Sequence, residues 1–442
     1  MARDSLMDQA RNAASLARKK GANDAAVVSY QSRNVDVTWR DGKIEKITEA
    51  TSRGLGLSLY VDGKYSSVST NDLRPEALDR FVEEAVALTR TLTADPFRKL
   101  PEPSLYAGQA KVDLQLDDPA YDSVTAVDRR KKAEALEVAA RNVKRSDAIL
   151  SVTTRCGDAI GESARVHTNG FEGERKDTSF YVGATVSVKD ADGRRPQESQ
   201  YASSRFHDAM PPVEEIGLQA SQRALGRLGA RKMGSGVFTI AVENRAGGGL
   251  VGRLMGPLSA GSLQQKRSFY EDRLNTQIGS KLLHLTDDPL VVRGLSSRLY
   301  DGEGIAAKVL PVFDGGVVKT VYVDTYYGRK LGMAPTTGGS SNLVWKLGDK
   351  NQDALLAQLK NGVLITGFLG GNSNGTTGDF SMGVEGFRVV DGQIAEPVSE
   401  MNVSGNHLEL WKQLTAVGND PYIYSSMGTP TLVFEGVQLA GT

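Results

Sequence analysis

Four histidines, His167, His207, His284 and His407, are the side chains best suited to proton transfer or metal binding, and no two stand at HxxxH or HxH spacing. Imidazoles one helical turn apart could share a zinc ion; scattered ones need the fold to gather them, so surface or structural roles are the expectation. Cys156 is the single cysteine. It sits between strand segments and reads as a small core or edge residue rather than a nucleophile. Ser340, Ser341 and Ser373 lie in glycine-rich loops without a nearby histidine and without a G-x-S-x-G elbow. A serine hydrolase needs a base and an orienting acid beside its serine, so that class is set aside. Residues 370–378 offer Gly370, Gly371, Gly375 and Gly378 but no lysine, which excludes a Walker A loop. Gly247-Gly248-Gly249 follows a strand and precedes a possible helix, the setting of an anion site, but lacks the G-x-G-x-x-G pattern. In both runs the expectation is glycine allowing close chain packing. Asp287, Asp288, Asp301, Glu303 and Asp379 could gather at a cleft, with Asp379 the expected cap of its own turn. The regular D-x-D-x-D-G of a calcium loop is absent. Tyr326-Tyr327-Gly328-Arg329-Lys330 follows an apolar strand and reads either as a wall of a peptide channel or as an edge helix whose tyrosines cap a sheet.

The chain that must position these groups has 442 residues, enough for two domains with real cores. Its 53 basic and 53 acidic residues balance, which argues against a globally basic nucleic-acid surface. A lone cysteine fits a reducing compartment, no apolar run is long enough to cross a bilayer, and the polar N-terminus does not resemble a signal peptide. A soluble cytoplasmic protein is expected.

Apolar spacing predicts a helix over residues 4–20 with a mostly alanine stripe, which must lean closely on its neighbour. Strands follow around residues 26–28, 35–39, 44–47 and 55–59, turned at Asp41-Gly42 and Asp62-Gly63. Pro75 opens a second helix, and a proline-rich connector, residues 95–103, is expected to cross the sheet surface. The order then recurs: a helix over 123–144, strands at 149–154, 164–168 and 178–188, and a helix over 213–229. This suggests an internal repeat, or one sheet with helices on one side. The segment 230–236 is the expected boundary between an N-terminal domain, residues 1–232, and a C-terminal domain, residues 233–442. Beyond it the chain reads as mostly strands, at 237–242, 290–292, 305–313, 317–324 and 432–439, with one helix around 353–360. Val363-Leu364-Ile365 suits a buried strand, and Asp391-Gly392 turns a hairpin.

The string TGDFSMGVEGFRVVDGQIAEPVSEMNVSGN, with Tyr326 to Gly332 upstream and Val417-Gly418-Asn419-Asp420 downstream, resembles the C-terminal signature of the TldD/PmbA family, the modulators of DNA gyrase. TldD-type members carry His-Glu-x-x-x-His on a helix after a strand matching residues 237–242, and a cysteine near the C-terminus as third zinc ligand. In the corresponding register here Glu243 and Gly248 replace the two histidines and Asn244 the glutamate, and Met427-Gly428-Thr429-Pro430 stands where the cysteine would be. The chain therefore resembles the TldE branch, without the zinc apparatus. The resemblance implies an α+β fold: an N-terminal antiparallel sheet with helices, and a largely β, barrel-like C-terminal domain. It further implies a heterodimer with a TldD-like HExxxH subunit that alone supplies zinc, enclosing a chamber for unfolded or modified peptides. Gly370, Gly371 and Gly375, with Tyr326 and Tyr327, are the expected peptide-facing positions. Two alternatives stand beside this: a regulatory binding protein acting without a protease partner, or a homodimer with other duties. A self-sufficient hydrolase built on Glu243 and nearby acids is a third.

Overall fold

The computed structural model describes residues 5–441, so the expectation for residues 1–4 lies outside it. Helix α1 (Leu6–Lys19) is capped by Ser5, whose hydroxyl accepts from the Asp8 amide. Its Ala10, Ala13 and Ala17 are fully buried. Small side chains let the helix sit low on strand β1 (Asp24–Arg40); β2 (Lys43–Val61) and β3 (Lys64–Thr70) follow, and α2 (Pro75–Thr91) covers them and closes the half. Segments that read as separate short strands are continuous here, because antiparallel pairing carries β1 and β2 together over their whole lengths. Asp41-Gly42 and Asp62-Gly63 turn the chain with both residues at positive φ (46° and 82°, 51° and 74°). That is the twist a two-residue hairpin requires.

The second half repeats the order: α3 (Ala126–Arg141), β4 (Ile149–His167), β5 (Glu172–Val188), β6 (Gln197–Ser204) and α4 (Val213–Gly226). The two halves join through their first strands, giving one six-stranded antiparallel sheet in the order β3-β2-β1-β4-β5-β6. Along β1 the buried residues Ala25, Val27, Val35, Val37 and Trp39 alternate with more exposed ones. Side chains two apart share a face, so α1 and α2 cover one end of that face and α3 and α4 the other. The internal repeat and the one-sided helical layer are thus both present.

The barrel begins at β7 (Gly236–Val242), followed by α5 (Asn244–Met255) and α6 (Ala260–Gln264). A small sheet is built from β8 (Leu285–Asp288), β9 (Leu310–Asp314), β10 (Val317–Val318) and β11 (Asn342–Trp345), with α7 (Thr325–Leu331) between the last two. The expected strands at 290–292 and 305–309 are irregular chain, and that at 317–324 shrinks to two residues. After α8 (Gln352–Leu356) come β12 (Asn361–Ser373), β13 (Asp379–Val390), β14 (Gln393–Asn406), β15 (Leu414–Val417) and β16 (Leu432–Ala440). Strands β14-β13-β12-β7-β16 close into a five-stranded barrel where Asn402 and Val403 of β14 pair with Ala440 and Leu439. Alternation divides the barrel strands: Ile240, Val242, Val363 and Ile365 pack with α5, whereas Ala241, Leu364, Val389 and Val433 pack with Leu355 and Leu356 of α8.

Glycine is obligatory at one barrel position. A Cβ at Gly386 would lie 1.8 Å from the Leu364 carbonyl oxygen and 3.0 Å from the Ile365 Cα. Neither neighbour is a side chain that could swing away. Gly386→Ala is expected to cost about 3 kcal/mol of stability by forcing β12 and β13 apart, read as a lower urea midpoint at unchanged slope.

The proline-rich connector does not run free over the sheet. Arg329 of α7 donates to the carbonyls of Phe97 (3.2 Å), Lys99 (2.8 Å) and Leu100 (2.6 Å). The Tyr326 hydroxyl donates to Asp95 Oδ2 at 2.8 Å, and the Arg98 guanidinium lies 3.5 Å from the centre of its ring. These contacts fasten the connector to α7, beyond the barrel boundary.

Candidate functional site

β7 runs directly into α5, and Glu243 is the residue before the first turn, its amide donating to the Ile365 carbonyl at 2.9 Å. The three glycines 247–249 lie inside this helix, against their intrinsic cost there of about 1 kcal/mol each. Gly247 shows why one is needed: a Cβ would stand 2.6 Å from Thr429 Cγ2. The segment 427–430 therefore does come against α5, as a third-ligand position would.

The donors at these positions do not fit a zinc ion. The Glu243 carboxylate is gripped by both Arg223 Nη atoms of α4, each at 2.7 Å. The Asn244 amide donates to the Asp420 carbonyl at 2.7 Å, and Gly248 faces open space. Thr429 Oγ1 is buried with no hydrogen-bond partner, a poor ligand by itself. Among the described residues no group of three or more His, Cys, Asp or Glu side chains could hold a metal ion.

An ionic network occupies the place instead. Glu198 on β6 lies 3.7 Å from Arg223, 3.8 Å from Arg227 and 3.4 Å from Arg245. Arg227 donates to Glu385 of β13 at 2.6 Å, and Arg245 to the Ser199 carbonyl at 2.6 Å. Three arginines thus meet three glutamates, and the cluster ties α4 and β6 to α5 and β13. Burial pushes the Glu385 carboxyl above its ordinary range, opposed by the Arg227 charge. Beside the network a cleft of about 400 Å³ is lined by Arg223, Glu243, Asn244, Arg245, Asp420 and Tyr422. The sequence reading found Glu243, Asn244 and Gly248 but missed their partners. The available signal was the pair Arg223 and Arg227, one helical turn apart beside the buried stripe of α4.

The remaining groups disperse. The Tyr326 and Tyr327 rings contact each other 5.0 Å apart, Tyr326 holding the connector and Tyr327 packing on Gly261 near α6. The glycines lie elsewhere, at the exposed end of β12. Gly371, at φ 115°, would place a Cβ 2.3 Å from the Ser381 carbonyl oxygen, so close strand approach requires it. Gly375 accepts from the Phe269 amide at 2.8 Å, and Gly370 has nothing near its missing Cβ. The acids do not gather: Asp287 binds Ser341, Asp301 accepts from Thr337 and backbone amides, Glu303 binds Thr325, and Asp379 holds the turn through Thr377 and Asn406. Cys156 is buried and its thiol is pushed up to about 12 by burial.

One expectation is overturned outright. Ser373 does have a histidine beside it: His407 Nε2 lies 2.9 Å from its hydroxyl oxygen, brought there by the pairing of β13 with β12 and β14. The triad stays incomplete, since among the described residues His407 Nδ1 is buried without a partner and no carboxylate orients the ring. His167 meets the Tyr106 hydroxyl at 3.0 Å, His207 meets Lys132, and His284 meets Asp314 at 3.0 Å. No two histidines share a site.

Comparison with known proteins agrees with this architecture. Three family models match in succession: PmbA/TldA metallopeptidase domain 1 over residues 25–89, the central domain over 119–228, and the C-terminal domain over 235–441. The metalloprotease PmbA of Escherichia coli O157:H7 is 27% identical over 95% of this chain and 93% of its own length. A candidate modulator of DNA gyrase from Bacteroides thetaiotaomicron superposes with a TM-score of 0.96 at 40% identity, covering all of both chains. TldE from Thermococcus kodakarensis, at 18% identity and a TM-score of 0.85 over 99% of this chain and all of its own, shares the fold. The antiparallel sheet and the barrel are those of the PmbA/TldD metallopeptidase family, to which this chain belongs.

Proposed function

We propose that this chain is the metal-free, TldE-like subunit of a two-subunit zinc protease, paired with a TldD-type subunit that carries the HExxxH helix. The observation carrying this reading is the Glu243–Arg223 clamp: at the position that the family resemblance aligns with the first histidine, the side chain gives its carboxylate to a guanidinium rather than to a metal ion. On this reading the chain's own work is to close a chamber and present backbone to unfolded or modified peptides. Two surfaces suit that work. Residues 43–53 of β2 extend beyond the end of β3 and are exposed, so an extended peptide could add there through main-chain hydrogen bonds with loose sequence demands. At the tip of β12, Gly370 lets another backbone approach closely.

Purified alone, the chain should neither retain stoichiometric zinc nor cleave casein-derived peptides, with or without added zinc. Co-expressed with the HExxxH paralogue of its own genome, it should co-purify as a heterodimer that binds zinc and cleaves. Zinc-dependent turnover by the isolated chain would overturn the reading. Failure to pair with the paralogue would favour a regulatory binding protein, the role suggested by the description of its Bacteroides relative as a candidate gyrase modulator.

A further inference from the structure

Between the segment at residues 112–117 and the loop at 298–302 lies a cavity of about 790 Å³, away from the ionic network. It opens on the sheet face opposite the helices: its wall includes Ser163 and Arg165, whose neighbours Ala164 and Val166 are buried toward the helical layer. Four cations line it, and three are already engaged. Arg175 is held by Asp177 and Lys176 by Asp117, each at 2.8 Å, while Arg298 donates to the Ser340 and Gly339 carbonyls. Arg165 has no carboxylate within 4 Å among the described residues. Asp301 and Glu303 act on it only at longer range, their oxygens taken by Thr337, Thr325 and backbone amides. Burial pushes the guanidinium's pKa down, which marks a cation short of solvent. The lining also carries apolar side chains, among them Leu116, Phe206 and Leu299.

We propose that this cavity binds a monocarboxylate carried on an apolar stem. A planar guanidinium accepts two carboxylate oxygens at once, and a volume of this size is that of a small-molecule site. The lining holds four acids (Asp113, Asp117, Glu174, Asp301) against four bases (Arg165, Arg175, Lys176, Arg298). One added negative charge can be met by Arg165 alone, whereas a phosphate dianion would find no second free cation. The ligand is either the C-terminus of a peptide ending in aliphatic residues or a free medium-chain fatty acid. The site needs no cleavage and does not rest on the subunit reading.

Calorimetry on the full chain tests it with three probes: N-acetyl-Leu-Leu as the free acid, the same dipeptide as its C-terminal amide, and octanoate. The free acid should bind at least about tenfold more tightly than the amide, and Arg165→Gln should abolish the difference. Octanoate binding with the same loss in Arg165→Gln, without dipeptide binding, supports the site and names a fatty acid as its source. Val112 is 37% exposed at the rim, so Val112→Asp should fold normally and weaken acid binding by repulsion while sparing the amide. Absence of binding by both acids at millimolar concentration, equal affinity for acid and amide, or an affinity unchanged in both variants would overturn the proposal.

Discussion

Replacing Glu243 by alanine is expected to destabilise the protein by about 3–5 kcal/mol, the largest loss among single substitutions in the network. The carboxylate makes two 2.7 Å bonds to Arg223, and its side chain is only 13% exposed. Its removal leaves three arginines facing two glutamates, mostly buried along one wall of the cleft. The Arg223 guanidinium keeps only the Thr366 carbonyl at 3.4 Å and Glu198 at 3.7 Å. The double variant Glu243→Leu with Arg223→Met restores equal numbers of opposite charges and refills the volume, so it should be markedly milder than the single change. Hydrophobic replacement of a buried pair is often nearly neutral. Urea denaturation of the wild type, Glu243→Leu, Arg223→Met and the double variant closes the cycle. A loss in the double variant equal to the sum of the losses in Glu243→Leu and Arg223→Met would mean that the two side chains are not coupled. The substitution also bears on assembly, because Arg223 belongs to the helix over the sheet and Glu243 to the barrel. Without the clamp, the polar ties left between this helix end and the barrel are Arg227 with Glu385 and the Val398 carbonyl, and the 3.4 Å contact of Arg223 with the Thr366 carbonyl.

That network explains where sequence reading stopped. The Asp-Gly hairpins at 41–42, 62–63 and 391–392 were legible because the turn chemistry is local: aspartate and glycine adopt positive φ and fix the strand register on either side. The repeat of helix, strands and helix, and one sheet with helices on one side, were legible, but the strand order was not, since nothing local says that β1 and β4 should meet at the centre of that sheet. The barrel closes through two residue pairs, Asn402 with Ala440 and Val403 with Leu439, a contact without local signature. The degenerate metal positions could be placed by family resemblance, but their replacement by a salt-bridge cluster could not. Glu198, Arg223, Glu243 and Glu385 come from four elements spread across the chain. Tertiary packing also overrode propensity at α5, where Gly247 is kept for the approach of Thr429. Ser373 and His407 make the same point: 34 residues apart, they meet because β13 and β14 return the chain to the start of its own hairpin.

His407 carries the second large effect, a dependence of stability on pH. The imidazole is wholly buried between Phe269 and Phe380, with ring centres 5.8 and 4.8 Å away. Burial, with the nearby Arg253 charge, pushes its pKa from 6.5 down to about 4. The folded state therefore holds the ring neutral while the unfolded chain takes up a proton below about 6.5. A depressed folded pKa contributes stability that is fully present above the unfolded value and is lost as pH falls toward the folded one. From pH 7 to pH 5 this one group should withdraw about 2 kcal/mol. His167, lowered to about 3 by burial and the Arg165 charge, adds a parallel slope. His407→Gln removes the first slope and leaves the second, while its amide can still reach the Ser373 hydroxyl. Urea midpoints at pH 7 and pH 5 should thus fall less in the variant than in the wild type, by about 2 kcal/mol once converted through the slope. Parallel losses would show that His407 is protonated in the folded protein. Because this neutral ring shares a hydrogen bond with the Ser373 hydroxyl at the end of β12, acidification should also loosen the glycine-bearing tip at Gly370 and Gly371 before the barrel itself unfolds, visible as faster amide exchange confined to that hairpin.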